Sequence, residues 1–292
     1  MCTSPLTAYE NPEGGKPLFG YWAEADGGDK LKLPCGKCTE CLRNYYMGRA
    51  VRGHRELLQW DSSIFITLTL DDKHNDGSLH KKDHPYSIVN FIKRLKKHFK
   101  SCKDNPIRQI YCGEYGETTQ RPHYHAVIFN CDFHDKRRHY ITDQGHQVYT
   151  SDLLAKLWKF GHSEFGYATP ATIGYLYKYI LKKKSAAERK KPLIINGKQV
   201  EHEFIEASRN PGIGASLKNS DSLNKGYITC NGVKFPLSKY YMDHLKENAP
   251  DVFAKLKQKN LDYISNQPIQ SEQELKIREE AKNYLTDTKR KM

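Results

Sequence analysis

The alternation of apolar and polar positions divides the chain into segments of distinct period. Ser63-Ile64-Phe65-Ile66-Thr67-Leu68-Thr69-Leu70 is apolar and β-branched and predicts a buried strand. Behind Ser87, a candidate N-cap, Ile88, Phe91, Ile92, Leu95 and Phe99 recur at helical spacing. They predict an amphipathic helix over 87–100 with Lys93, Arg94, Lys96, Lys97 and Lys100 on its wet side. Residues 107–115 and 123–130 read as strands, and the short turn-rich connector between them predicts antiparallel pairing. Ser151 caps a short helix carrying Leu153, Leu154, Leu157 and Trp158, with Gly161 as its stop. A further strand is expected over 162–168. Thr169-Pro170 opens a helix to about Lys184, since proline favours the first helical position. Residues 39–60 lack proline and predict a basic helix exposing Arg43, Arg49, Arg52 and Arg55. A polar loop is expected over 132–147, a flexible or extended stretch from 185 to about 226, and helices over 237–260 and 271–289.

These segments imply an α+β fold: a central antiparallel sheet covered by the helices 87–100 and 169–184. Three regions follow: a Cys-rich segment with a basic helix (1–60), a core (61–190), and a basic, partly flexible helical region (191–292). Composition adds direction. The chain has 292 residues and 47 Lys+Arg against 34 Asp+Glu, a net charge of +13. That balance favours phosphate-rich partners. No apolar run approaches the ~20 residues of a membrane span. The first residues, Met1-Cys2-Thr3-Ser4-Pro5, lack the pattern of a secretion signal, so a soluble intracellular protein is expected, with its eight cysteines reduced or metal-bound.

Candidate chemistry gathers in three places. In Arg121-Pro122-His123-Tyr124-His125, histidines two apart on a strand point to one face and can share a cation. Glu114, on the presumed neighbouring strand, adds a carboxylate. Two imidazoles and a carboxylate suit Mg²⁺ or Mn²⁺ and do not exclude Zn²⁺; the alternative is a pair of strand histidines without a ligand role. The second place is the helix from Thr172 to Lys183. At ~100° per residue, Tyr175, Tyr179, Lys178 and Lys182 share one face, and Tyr177 falls with the apolar Ile173, Leu176, Ile180 and Leu181. Neighbouring lysines favour a phenolate and a bound phosphate. The third is Cys35-x2-Cys38-x2-Cys41, with Cys2 as a fourth thiolate for a structural zinc. Here the alternative is reduced thiols at a helix start. Cys112 and Cys131 flank strands and are expected in the core.

Taken in order, Phe65-Ile66-Thr67-Leu68-Thr69, Gly113-Glu114-Tyr115-Gly116, Arg121-Pro122-His123-Tyr124-His125 and Tyr175-x3-Tyr179-x2-Lys182-Lys183 resemble the HUH endonucleases of rolling-circle replication. The match is closest to the replication initiators of gokushovirus-like microviruses, small single-stranded DNA phages, whose early Pro34-Cys35-Gly36-Lys37-Cys38 pattern is also similar. It covers about residues 1–184. The resemblance implies a ferredoxin/RRM-like HUH fold and a metal on His123, His125 and Glu114, with Glu117 as a substitute for the third ligand. It further implies attack by Tyr175 or Tyr179 on single-stranded or melted origin DNA, giving a 5′-phosphotyrosine and a free 3′-OH. Lys182 and Lys178 would steady the phosphate, and Arg121, Lys93, Lys96 and Lys97 would hold the DNA backbone. The host replication helicase and polymerase are the implied partners and the bacterial cytoplasm the implied site of action. Other classes are a relaxase or transposase of the same superfamily, a non-catalytic DNA-binding protein with a structural zinc, and an RNA-binding module stacking bases on Tyr111 and Tyr124.

Overall fold

A computed structural model describes residues 2–13, 15–20, 29–82, 84–178, 191–266 and 271–291. The chain divides into two compact units, residues 1–46 with 245–292, and residues 47–244. The elements begin with β1 (Leu6–Tyr9), β2 (Lys30–Leu33), α1 (Thr39–Leu57), β3 (Ser63–Thr69), α2 (Ile88–His98), β4 (Arg108–Tyr115) and β5 (Pro122–Phe129). They continue with β6 (Arg137–Ile141), β7 (Gln147–Thr150), α3 (Asp152–Leu157), β8 (Ser163–Tyr167) and α4 (Pro170–Lys178). After them come β9 (Leu193–Ile195), β10 (Lys198–Val200), β11 (Phe204–Ala207), β12 (Tyr227–Cys230), β13 (Val233–Pro236), α5 (Lys239–Asn248), α6 (Pro250–Ser265) and α7 (Glu272–Lys291). Among the described residues, no helix is long and apolar enough to cross a membrane.

The larger unit is built on a seven-stranded sheet in the order β11-β4-β5-β3-β8-β7-β6, every neighbouring pair antiparallel. Strand alternation gives the sheet two different faces. Ile64, Ile66 and Leu68 of β3 and Tyr124, Ala126 and Ile128 of β5 point into the main core, where they meet Ile88, Phe91, Ile92 and Leu95 of α2, with Leu154 and Trp158. The Ser87 hydroxyl accepts the Asn90 N–H at 3.2 Å, and Ser151 likewise caps α3 by accepting from Leu154 at 3.0 Å. The opposite face carries Phe65, Thr67, Glu114, His123 and His125. Here α4 packs on β4 and β5. Its approach to α1 depends on Gly53, where a methyl group would stand 2.6 Å from Ile173 Cγ2.

The sheet and its covering helices match the periodicity, and several details differ from it. Residues 137–150, expected as loop, form the β6–β7 hairpin; β6 is exposed throughout, so it has no apolar alternation to read. Part of the stretch expected to be flexible adds β11 to the sheet edge, pairing Phe204–Ala207 with Gly113–Ile110. The helix expected over 237–260 is two helices, since Pro250 begins a second one. Gly161 is not the stop of α3, which ends at Leu157. Gly161 instead lies with φ +154° so close to β3's exit that a Cβ would come 2.2 Å from the Thr69 carbonyl. Arg52 and Arg55 are not free surface charges: Arg52 donates to the Ile213 carbonyl and lies over the Tyr240 ring, and Arg55 donates to the Thr229 carbonyl. Arg49 is likewise half-buried, whereas Arg43 is exposed.

Candidate active site

Strand register assembles the donor set. Glu114 on β4 lies opposite His123 on β5, and Cys112 opposite His125. All three donor side chains leave the same face, and their ligand atoms lie within 4.8 Å of one another. His123 Nε2 and His125 Nε2 each stand 2.9 Å from the same oxygen, Glu114 Oε1. The other ring nitrogens are engaged from outside the cluster. His123 Nδ1–H donates to the Arg121 carbonyl at 3.1 Å, and His125 Nδ1 lies 3.2 Å from Thr67 Oγ1 on β3. Those partners assign the proton to Nδ1 and leave both Nε2 lone pairs facing inward, the orientation a metal-ligating histidine needs. Glu114 and His125 are buried and His123 is half-buried. Burial lowers the His123 pKa, but hydrogen bonding and charge from Glu114 outweigh it and hold the imidazole above its ordinary value. The donor set, two nitrogens and one hard oxygen with open directions toward solvent, fits a divalent cation. Glu117 is exposed in the turn beyond β4, so Glu114 is the carboxylate at the cluster.

The nucleophile candidates separate as the helical spacing predicts. Tyr175 is 41% exposed, and its ring meets the His125 ring edge-on with centroids 5.5 Å apart. Tyr177 is 2% exposed and belongs to the buried face of α4. Tyr179, Lys182 and the side chain of Lys178 lie outside the described residues. Phe65 also borders the cluster, stacked on His125 with centroids 5.5 Å apart and planes at 16°. Thr67 and Phe65 escaped the sequence reading as site residues, although their alternation with Ile64, Ile66 and Leu68 marks them as facing away from the core.

The remaining predicted residues are arranged differently. Arg121 ties down the neighbouring loop, its guanidinium donating to Asp72 at 2.6 Å and to the Leu70 carbonyl at 2.9 Å. Lys93, Lys96 and Lys97 ride on α2, which covers the face of the sheet opposite the His/Glu cluster. Lys93 and Lys97 are exposed; Lys96 is half-buried, which lowers its pKa. Tyr111 and Tyr124 are buried at 6% and 0% exposure, and the Tyr124 hydroxyl is engaged by the His80 N–H. Neither ring is open to a base, which removes the stacking platform expected of an RNA-binding module. Cys112 and Cys131 are buried, as expected. In the smaller unit, Cys2, Cys35, Cys38 and Cys41 form a second donor set, with ligand atoms again within 4.8 Å. Burial raises the Cys38 pKa, but hydrogen bonds from Thr3 and Cys41 bring that thiol down to about 6, within reach of the thiolate that metals bind.

Comparison with known proteins follows the same boundaries. A family model for the replication-associated protein ORF2 group matches residues 63–184, which include β3 through α4. The chain is 33% identical over 243 residues to the replication-associated protein VP4 of Bdellovibrio phage phiMH2K, covering 78% of this chain and 74% of that protein. It is 26% identical over 280 residues to the replication-associated protein ORF2 of Spiroplasma virus 4, covering 90% and 84%. With the replication-associated protein ORF4 of Chlamydia phage 1 the identity is 26% over 232 residues, 74% of this chain and 54% of that protein. No solved structure gives a significant match.

Proposed function

Because this chain belongs to the phage replication-associated proteins, we propose that it initiates rolling-circle replication as an HUH-type endonuclease, nicking single-stranded or melted origin DNA and later rejoining it. The observation that carries the reading is the convergence of Glu114, His123 and His125 on one point beside the exposed ring of Tyr175. Mg²⁺ or Mn²⁺ held by those three residues would supply positive charge to a nonbridging oxygen of the scissile phosphate.

The chain's own residues do the rest. The Arg121 carbonyl and Thr67 fix the two imidazole tautomers. Tyr175 loses its phenolic proton and attacks phosphorus; a Tyr–O–P bond forms, the P–O3′ bond breaks, and the departing oxygen takes a proton to become a 3′-OH. That hydroxyl primes the host polymerase. The phosphotyrosine keeps the energy of the broken phosphodiester, so a later 3′-OH reverses the step without ATP. Tyr179 is assigned the second transfer, and Lys178 and Lys182 the phosphate. The nicking chemistry is assigned to residues 61–190, and zinc to the four cysteines. The sequence contains no Gly-x4-Gly-Lys-Ser/Thr loop, so duplex opening falls to a host helicase in the host cytoplasm.

The test is incubation with a library of labelled single-stranded oligonucleotides and Mn²⁺. A denaturation-resistant protein–DNA band that needs the metal, and that maps to tyrosine, is the expected result. Binding without any covalent adduct on the cognate origin would leave only a DNA-binding protein.

A further inference from the structure

The four thiols and the C-terminal helix meet at the start of α1. Cys2 Sγ and Cys38 Sγ are 3.7 Å apart. The backbone N–H groups of Lys37 and Cys38 approach Cys35 Sγ at 3.4 and 3.2 Å, and that of Cys35 approaches Cys2 Sγ at 3.3 Å. Backbone donors aimed at sulfur stabilise thiolates and orient them toward a shared cation. Four sulfurs this close repel one another once deprotonated, so the arrangement needs a cation at its centre to hold its shape at neutral pH.

Against this loop lies α7. One oxygen of Glu279 accepts the Thr39 backbone N–H at 3.0 Å, and the other accepts the Thr3 hydroxyl. The Thr39 hydroxyl donates to Asn283, and Lys282 pairs with Glu40. Thr3 follows Cys2 directly, and Thr39 and Glu40 stand between Cys38 and Cys41. Each of these α7 contacts therefore falls on a residue adjacent in sequence to a thiol. The Thr39 N–H is one of the donors that the first turn of α1 cannot satisfy internally. A local side chain ordinarily caps such a donor. Here the cap comes from a carboxylate 240 residues away in sequence, with the charge that a helix N-terminus favours.

We propose that metal at Cys2, Cys35, Cys38 and Cys41 controls the docking of the C-terminal helix: the loaded cluster holds Thr3, Thr39 and Glu40 where α7 binds them, and its loss releases α7. The inference rests on the assignment of zinc to these cysteines, and the experiment separates the two. Elemental analysis of the purified full-length protein should give about one zinc per chain, and replacement by Co²⁺ should give the visible bands of a tetrahedral thiolate site. Hydrogen exchange followed by mass spectrometry then reads α7 directly. Stripping zinc with a chelator should speed exchange over 272–283 by about tenfold or more, and added zinc should restore it. Peptides from β3 to β5 serve as the control for global unfolding. Because cysteine variants risk misfolding, the second arm is Glu279→Gln with Lys282→Ala, which should loosen α7 while leaving the zinc content unchanged. Equal α7 exchange in loaded and stripped protein, with zinc present, would overturn the docking control and leave the zinc assignment standing. Absence of zinc and of the Co²⁺ spectrum would overturn both.

Discussion

Replacing Thr67 with valine isolates one contact in the candidate active site. Valine keeps the volume and the β-branching that suit a strand, and removes only the hydroxyl 3.2 Å from His125 Nδ1. His123 is unaffected in this respect, because its Nδ1 partner is the Arg121 backbone carbonyl. Without metal, the loss is one partly buried hydrogen bond, about 1 kcal/mol of stability. With metal, the effect should be larger. The outer partner of a ligating imidazole fixes its tautomer and orientation, and removing it typically weakens metal binding about 10- to 100-fold, or ~1.4–2.8 kcal/mol. Mn²⁺ affinity can be read from the electron paramagnetic resonance of the free ion, beside nicking at saturating Mn²⁺ and a denaturation curve. The expected pattern is a weakened Mn²⁺ affinity, partial recovery of nicking at high Mn²⁺, and restoration of both by Thr67→Ser. A valine variant that binds Mn²⁺ within about twofold of the parent would refute the reasoning, since His125 would then need no partner at Nδ1.

Three other perturbations test separate parts of the structure. Tyr175→Phe and Tyr179→Phe should each retain some single-round nicking and the double variant none, whereas Tyr177→Phe, buried on the far side of α4, should stay near parent activity; an adduct mapped to Tyr177 by mass spectrometry would contradict this. In metal-free protein the His123 pKa is raised, so its pairing with Glu114 adds stability that is complete below the ordinary imidazole value of ~6.5 and is lost as pH rises through the folded-state value. Thermal unfolding should therefore show stability falling with pH above that point, and Glu114→Gln should flatten the slope; an unchanged slope counts against the pairing. Arg108 and Glu56 form a buried ion pair at 2.5 Å, and Glu56 also accepts the Gly214 N–H at 2.7 Å. Arg108→Ala strands that carboxylate and should cost about 3–5 kcal/mol in denaturant unfolding, whereas a loss below ~1 kcal/mol would mean that water replaces the guanidinium.

What could be read beforehand was set by local physics. The strand at 63–69, the helix behind Ser87 and the β4–β5 pair carry their own periods, caps and turn, and they stand within a residue or two of the expected positions. His123 and His125 were legible because alternation alone puts them on one face. Glu114 required one more step, the pairing of β4 with β5. Thr67 required the position of β3, which lies between β5 and β8 and so depends on contacts distant in sequence. The β6–β7 hairpin and β11 carry no such signal: one is solvent-exposed and the other is four residues long. The lysines of α2 were legible as a wet helix face, but the side of the sheet that this face would cover depends on the core residues of β3 and β5 together.

Register is what makes the site, and Arg121 bears on it more than a surface charge would. Glu114 faces His123, and Thr67 and Thr69 face His125 and His123 from the other side. A slip of one residue in β5 would turn both histidines into the core and bring Tyr124 to the metal face. The β4–β5 connection resists that slip with two backbone bonds, Gly116 N–H to the Arg121 carbonyl at 3.0 Å and Gln120 N–H to the Gly116 carbonyl at 2.9 Å. The same Arg121 carbonyl orients His123, while its guanidinium holds Asp72 and Leu70 at the exit of β3. One residue thus joins the strand before the histidines, the turn that sets their register and the tautomer of the first of them. A residue read from sequence as a hand for the DNA backbone is, in the folded chain, a brace for the donor set, and the two roles draw on different atoms of the same side chain and backbone.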